Sequence, residues 1–187
     1  MPGWVLTNIT AAGGSIGQAG GYTNLQGSTS ADFVISTSLP GANGGSNSNY
    51  TPADTRAIRL KWRVKLGDLT DRKGFGFCVT PANIHTAETD TTAGEVRFIW
   101  NAGVLWAQNA NGTTTKTDIS SGITGTNWNL YEIVFTPGTD IKYYINGTLK
   151  ATHTTNLPTT GTLVLAMGAN ANGSVVQTNF PILSIQN

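Results

Sequence analysis

Charge is scarce in this chain of 187 residues: Asp, Glu, Lys and Arg make up 11% of it, against roughly 25% in an ordinary soluble domain. The few charges nearly cancel, 11 Lys and Arg against 10 Asp and Glu. The cationic excess of a general nucleic-acid binder is therefore missing. Cysteine occurs once, at Cys78, which excludes an internal disulfide and a thiolate zinc cluster. No apolar run reaches the roughly 18 residues of a transmembrane helix. The start, Met1-Pro2-Gly3-Trp4, has neither a basic n-region nor a long apolar stretch, so no signal peptide is read there. Helical periodicity is also rare. What remains is polarity supplied by Thr, Ser, Asn and 23 Gly, set among 39% hydrophobic residues. A small net charge with many large apolar residues argues against disorder. At about 150 residues per domain, 187 residues read as one domain, large enough to bury a core without disulfides or metals.

Alternation with a period of two runs through most of the chain, punctuated by Gly and Asn, which is an all-β signature. From Ile58 to Leu66, residues Ile58, Leu60, Trp62, Val64 and Leu66 face one way and Arg59, Lys61, Arg63 and Lys65 the other. One face of that strand is core and the other basic and solvated. In Gly74 to Val79, Phe75, Phe77 and Val79 share one face, and Gly74, Gly76 and Cys78 leave room on the other for a close neighbour, protein or ligand. Glu95 to Gln108 reads as a hairpin turning at Asn101-Ala102-Gly103. Trp128 to Phe135 and Ile141 to Ile145 are strands, and Asn146-Gly147 is the strongest hairpin signal in the chain. Strands at Leu163 to Met167 and about Phe180 to Ile185 follow. Residues 1–55 are less regular, a partly irregular arm and loop rich in Gly, Ser and Asn, with strands expected only near Trp4 to Ile9 and Phe33 to Ile35. The pattern predicts a two-sheet antiparallel β-sandwich of jelly-roll type.

The segment Trp128-Asn129-Leu130-Tyr131-Glu132-Ile133-Val134-Phe135, a Pro-Gly turn, and Ile141-Lys142-Tyr143-Tyr144-Ile145-Asn146-Gly147 resembles a recurrent hairpin of the concanavalin A-like lectin/glucanase superfamily, which includes laminin-G-like modules. The resemblance covers about Arg56 to Asn187. It implies a concanavalin A-like jelly roll. It does not imply one function, because the superfamily holds lectins, glucanases, alginate lyases, carbohydrate-binding modules and adhesive domains on phage virions.

Glucanases of this superfamily set two or three carboxylates on one strand face, and retaining hydrolysis needs two about 5–5.5 Å apart. Here Arg97 follows Glu95 where a second acid is needed, and Glu132 stands alone. Glu88 and Asp90 have alternate spacing but read as a solvated loop. Asn101-Ala102-Gly103-Val104-Leu105-Trp106-Ala107-Gln108 is similar to the last motif of the family's lyases, with Leu105 or Trp106 where those enzymes carry a proton-transferring Tyr. His85 reads as a loop residue and His153 as a strand-end residue. Asp68, Asp71 and the Asn170/Asn172 loop offer hard oxygens of the kind calcium takes, but they form no recognisable calcium loop. The expectation is no enzyme, no cofactor and no metal.

Aromatic faces stack on sugar rings, and amides or carboxylates beside them bind hydroxyls. The candidate ligand-binding residues are Trp106, Tyr144, Trp100, Asn109, Arg97 and Asp90, although Trp62, Trp100 and Trp128 also alternate as core residues do. Arg59, Lys61, Arg63 and Lys65 form a basic strand face, read as solvated, or as a patch for an acidic glycan or acidic partner. Four sequons, at Asn8, Asn111, Asn146 and Asn172, are glycosylated only in a eukaryotic secretory chain. These features predict a non-enzymatic, lectin-like surface or adhesion module. Met1 without a leader points to a phage virion protein made in the cytoplasm, a capsid decoration or tail appendage with a homo-oligomeric state. Its partners would be other virion proteins or a cell-surface glycan, not nucleic acid or a membrane. The alternatives are a carbohydrate-binding module or extracellular lectin, and a glycan-degrading enzyme of the same fold.

Overall fold

Two antiparallel sheets stacked on each other are what the alternating segments build. A computed structural model describes residues 8–9, 15–19, 22–26, 33–38, 50–53, 55–170, 175–179 and 181–185. Its strands are β1 Asn8–Ile9, β2 Ser15–Ala19, β3 Tyr22–Gln26, β4 Phe33–Ser38, β5 Ile58–Leu66, β6 Lys73–Cys78, β7 Glu95–Asn101 and β8 Val104–Ala110. They continue with β9 Thr114–Asp118, β10 Asn129–Thr136, β11 Asp140–Ile145, β12 Thr148–His153, β13 Val164–Ala169, β14 Val175–Thr178 and β15 Ile182–Ile185. No helix among the described residues is long and apolar enough to cross a membrane.

The first sheet has seven strands in the order β1-β4-β13-β6-β7-β8-β9. The second has the order β12-β11-β10-β5-β14-β3-β2, with β15 also paired to β5. Strands from the first 38 residues thus enter both sheets. Of these, β2 and β3 were not readable as strands, because their Gly, Ser, Gln and Asn content hides the alternation. The loop at 171–174 and the N-terminal Trp4 lie outside the described residues.

The core sits between the sheets. On β5 burial alternates as the sequence predicts, with Ile58, Leu60, Trp62, Val64 and Leu66 inward. Phe75 and Phe98 of the seven-stranded sheet meet Tyr131 of the other edge-on, with ring centroids 4.8 and 5.1 Å apart, a favoured aromatic geometry. The Tyr143 hydroxyl crosses the layer to donate to the Gln108 carbonyl at 2.8 Å. Trp100 belongs to this core, not to a ligand surface, because even-numbered residues of β7 point inward. Trp128 is the opposite correction. On β10 the odd positions are inward, so Trp128 lies half-buried outside, edge-on to Tyr22 and under the guanidinium of Arg63.

Two hairpins turn where Gly and Asn predicted. Ala102 and Gly103 have φ of 49° and 83°, and Asn146 and Gly147 have 51° and 81°, the left-handed pair that a two-residue turn between right-twisted strands requires.

Candidate functional site

The outer face of the seven-stranded sheet carries the densest polar chemistry. Side chains that alternate away from the core are Glu95, Arg97, Ile99 and Asn101 on β7, Trp106 and Gln108 on β8, and Lys116 and Asp118 on β9. The segment 79–94, with one 3-10 turn at Pro81–Asn83, folds back over this face. It is pinned at its ends by Val79 N–H to the Gly94 carbonyl and Gly94 N–H to the Ala110 carbonyl, both 3.0 Å. Gly74 on β6 lets it lie close: a Cβ there would come within 1.7 Å of the Ile84 carbonyl oxygen. The small face of β6 therefore admits the chain's own backbone.

Arg97 is the hub beneath this cover. It is fully buried, and its guanidinium donates to the Asn83 carbonyl, to Thr86 Oγ1 at 3.1 Å, to the Ala87 carbonyl at 3.0 Å and to Gln108 Oε1. Its Nη2 also pairs with Glu95 Oε2 at 3.0 Å. Gln108 Nε2 returns to the Asp90 carbonyl at 3.1 Å. Asp90 Oδ1 accepts from the Thr92 amide at 2.8 Å and the Thr92 hydroxyl at 2.7 Å, and Oδ2 accepts from Thr86. Burial opposes the Asp90 charge, but these hydrogen bonds and Arg97 outweigh it and hold its carboxyl below the usual value. Glu95 goes the other way. Burial pushes its carboxyl up to about 7 against the pull of Arg97, and Asp90 adds to the rise. Glu95 Oε1 has no hydrogen-bond partner.

At the rim of the cover, Trp106 is half-buried and opens toward solvent. Lys116 Nζ stands 4.6 Å from its ring centroid and 3.3 Å from Glu88 Oε1. Glu88 Oε2 accepts from Asn101 Nδ2 at 2.6 Å. Burial raises the Glu88 carboxyl, but Asn101 and Lys116 outweigh it, so it is held below its ordinary value. Glu88 and Asp90 are thus both hydrogen-bonded members of the cover and both favoured as anions.

The candidate ligand residues do not converge. Trp106 is accessible; Arg97 and Asp90 lie beside it but are engaged with the cover. Arg97 is not a direct ligand contact, because its donors are satisfied internally. Asn109 points to the core side, where its amide donates to the carbonyls of Thr155 and Asn156 at 2.9 and 2.7 Å and its Oδ1 meets His153 Nδ1 at 2.6 Å; it is structural. Tyr144 is on the outer face of the other sheet. Arg59, Lys61, Arg63 and Lys65 share that second face, with Arg59 and Lys61 on Glu132 at 2.6 and 3.6 Å. Lys116, Asn101 and Glu88 were not read as sugar contacts. The pairing of β8 with β9 puts Trp106 and Lys116 on one face, and the reach of Glu88 depends on how 79–94 folds.

Of the oxygens considered for calcium, Asp68 Oδ1 and the Asp71 carbonyl are 2.7 and 3.2 Å from the buried ammonium of Lys73. A lysine occupies the place where a cation would sit. Among the described residues no group of three His, Cys, Asp or Glu is placed to hold a metal. His153 is buried between Asn109 and Thr117 Oγ1, the latter at 2.9 Å, and burial lowers its pKa to about 4.

No family model matches the sequence, and no curated protein is similar to it in sequence. Solved structures are similar in three dimensions. The carbohydrate recognition domain of Emp47p superposes with a TM-score of 0.63 at 10% identity, covering 100% of this chain and 92% of that one. An alginate lyase from Corynebacterium sp. gives 0.65 at 13% identity, over 96% and 84%. The carbohydrate binding module CBM66 from Bacillus subtilis gives 0.53 at 11%, over 93% and 94%. The fold is a concanavalin A-like β-sandwich. Lectin-type domains, binding modules and lyases share it, so it does not choose among them.

Proposed function

We propose that this concanavalin A-like chain is a carbohydrate-recognition module whose sugar-facing surface is centred on Trp106. The observation that carries the reading is the half-buried indole with the Lys116 ammonium over its ring, Lys116 paired in turn with Glu88, and Glu88 with the Asn101 amide. A pyranose face stacks on an indole, and such polar groups take its hydroxyls. Hydrogen bonding of Glu88 to Asn101 and its ion pair with Lys116 pre-position these groups, which limits the ordering cost of binding. The similar solved structures named for carbohydrate recognition or binding support the class. The proposed setting is a phage virion, as a decoration or tail appendage; the charge-poor, Thr- and Gly-rich composition supports it, and co-sedimentation with capsids or tails tests it. A glycan array followed by calorimetry tests the binding reading. Micromolar binding to a defined sugar is expected, weakened at least tenfold by Trp106→Ala with unchanged circular dichroism; a blank array overturns it.

One observation favours a glycan-cleaving enzyme as a second reading. Burial raises Glu95 to about 7 and the Asp90 charge adds to the rise, while Asp90 itself is held low, and carboxyls pushed apart in this way divide acid and base roles. The cover over Glu95 opposes it. Turnover of alginate or β-glucans, lost in Glu95→Gln, would support this reading, and no turnover by the wild type ends it.

A further inference from the structure

The exposed large hydrophobic residues among those described are Leu130, Leu149 and Ile182, at 37, 49 and 67% exposure, and all three stand on the outer face of the eight-stranded sheet. Strand register lines up two of them in one transverse row. Leu149 pairs with Tyr144, Tyr144 with Glu132, Glu132 with Lys61, and Lys61 with Ile182. Five strands at about 4.8 Å spacing make this row roughly 19 Å long. The next row contains Lys142, Val134 and Arg59, and on the other side Leu130 pairs with Arg63. The same face holds Arg59, Lys61, Arg63, Lys65 and Lys142, five of the chain's 11 cations, and among the described residues Glu132 and Asp140 are its only carboxylates. Both carboxylates are engaged by cations of the face: Glu132 by Arg59 and Lys61, Asp140 by Lys142 at 3.0 Å.

From this arrangement we infer that the outer face of the eight-stranded sheet is a docking surface for a protein partner whose own surface sets acidic side chains among aliphatic ones. The surplus positive charge selects acidic groups and steers their approach. The aliphatic ends of the row need apolar side chains opposite them, which an acidic polysaccharide does not present. The Arg59–Glu132–Lys61 cluster interrupts the apolar surface at its centre, which suits a protein surface better than insertion into lipid. A second copy docked face to face would bring the cation-rich surface against itself, and like charges disfavour that contact. The surface is on the side of the sandwich away from Trp106, so one module can hold its partner and a sugar together.

Calorimetry with a short peptide of alternating glutamate and leucine tests this, with a glutamate–serine peptide of equal charge, heparin and phosphatidylserine vesicles as rival probes. The glutamate–leucine peptide is expected to bind at least tenfold more tightly than the glutamate–serine peptide. Leu149→Asp and Ile182→Asp, both solvent-facing, should each weaken it at least tenfold, and Trp106→Ala should leave it unchanged. Equal binding of the two peptides, or none, overturns the inference. So does tighter binding to heparin or vesicles, or self-association in sedimentation that Leu149→Asp abolishes.

Discussion

Arg97 shows how much one side chain can decide here. A buried guanidinium is tolerable only when its donors and charge are answered, and Arg97 is answered by two carbonyls, a hydroxyl, an amide and a carboxylate from β7, β8 and the cover. Removing it leaves the buried Glu95 without its ion-pair partner and several acceptors orphaned. Arg97→Met is therefore expected to lower the unfolding free energy by about 3–5 kcal/mol, the usual cost of breaking a buried pair from one side. Urea denaturation measures this, and a loss under about 1 kcal/mol would show that the cover is held by something else. The sequence showed Arg97 as an outward-facing cation beside a possible site. It could not show that residues ten and fourteen positions upstream, Ala87 and Asn83, supply its acceptors.

Strands β5, β6 and β7 were all legible as elements, but what covers the outer side of β6 and β7 was not. On β5, where one face meets water, burial alternates. On β6 every residue is buried, and on β7 all but the last, because 79–94 lies over their outer side. The glycines of β6 signalled a close neighbour without saying whether it was protein or ligand. The structure answers with Ile84. Gly74→Ala would drive its methyl into the Ile84 carbonyl, a backbone atom that cannot swing aside. The variant should lose about 2–4 kcal/mol, in the range of severe core overpacking, and the amides of 79–94 should exchange hydrogen far faster. Wild-type exchange rates in that segment would refute the steric account.

At the scale of the whole molecule, two buried groups bend the stability–pH curve in opposite directions. Glu95 binds its proton more tightly when folded, about 7 against an ordinary 4.5. Its contribution is fully present below pH 4.5 and lost as pH rises through 7. His153 binds its proton less tightly, about 4 against 6.5. Its contribution is present above pH 6.5 and lost as pH falls through 4. Between pH 4.5 and 6.5 the two slopes cancel, while Asp68, Glu88 and Asp90, all held low, act at more acidic pH. Glu95→Gln should unmask the His153 slope, so that stability climbs by about 1 kcal/mol per pH unit across that window. Denaturation midpoints measured from pH 4.5 to 6.5 check this; a flat profile in the variant would show that the two groups are not opposed.

Alternation, turn chemistry and the Trp128–Gly147 hairpin were enough, by themselves, to determine an all-β sandwich and which side of most strands faces inward, because side-chain direction along a strand is a local property with a period of two. Which outward residues meet water was left to tertiary structure. That depends on a connecting segment whose path no local rule specifies, and on a register that gathers Leu149, Tyr144, Glu132, Lys61 and Ile182 from five separate strands into one row. Local strand parity had already turned Trp100 and Asn109 inward, and the fold of 79–94 then covered Arg97 while leaving Trp106 at its rim.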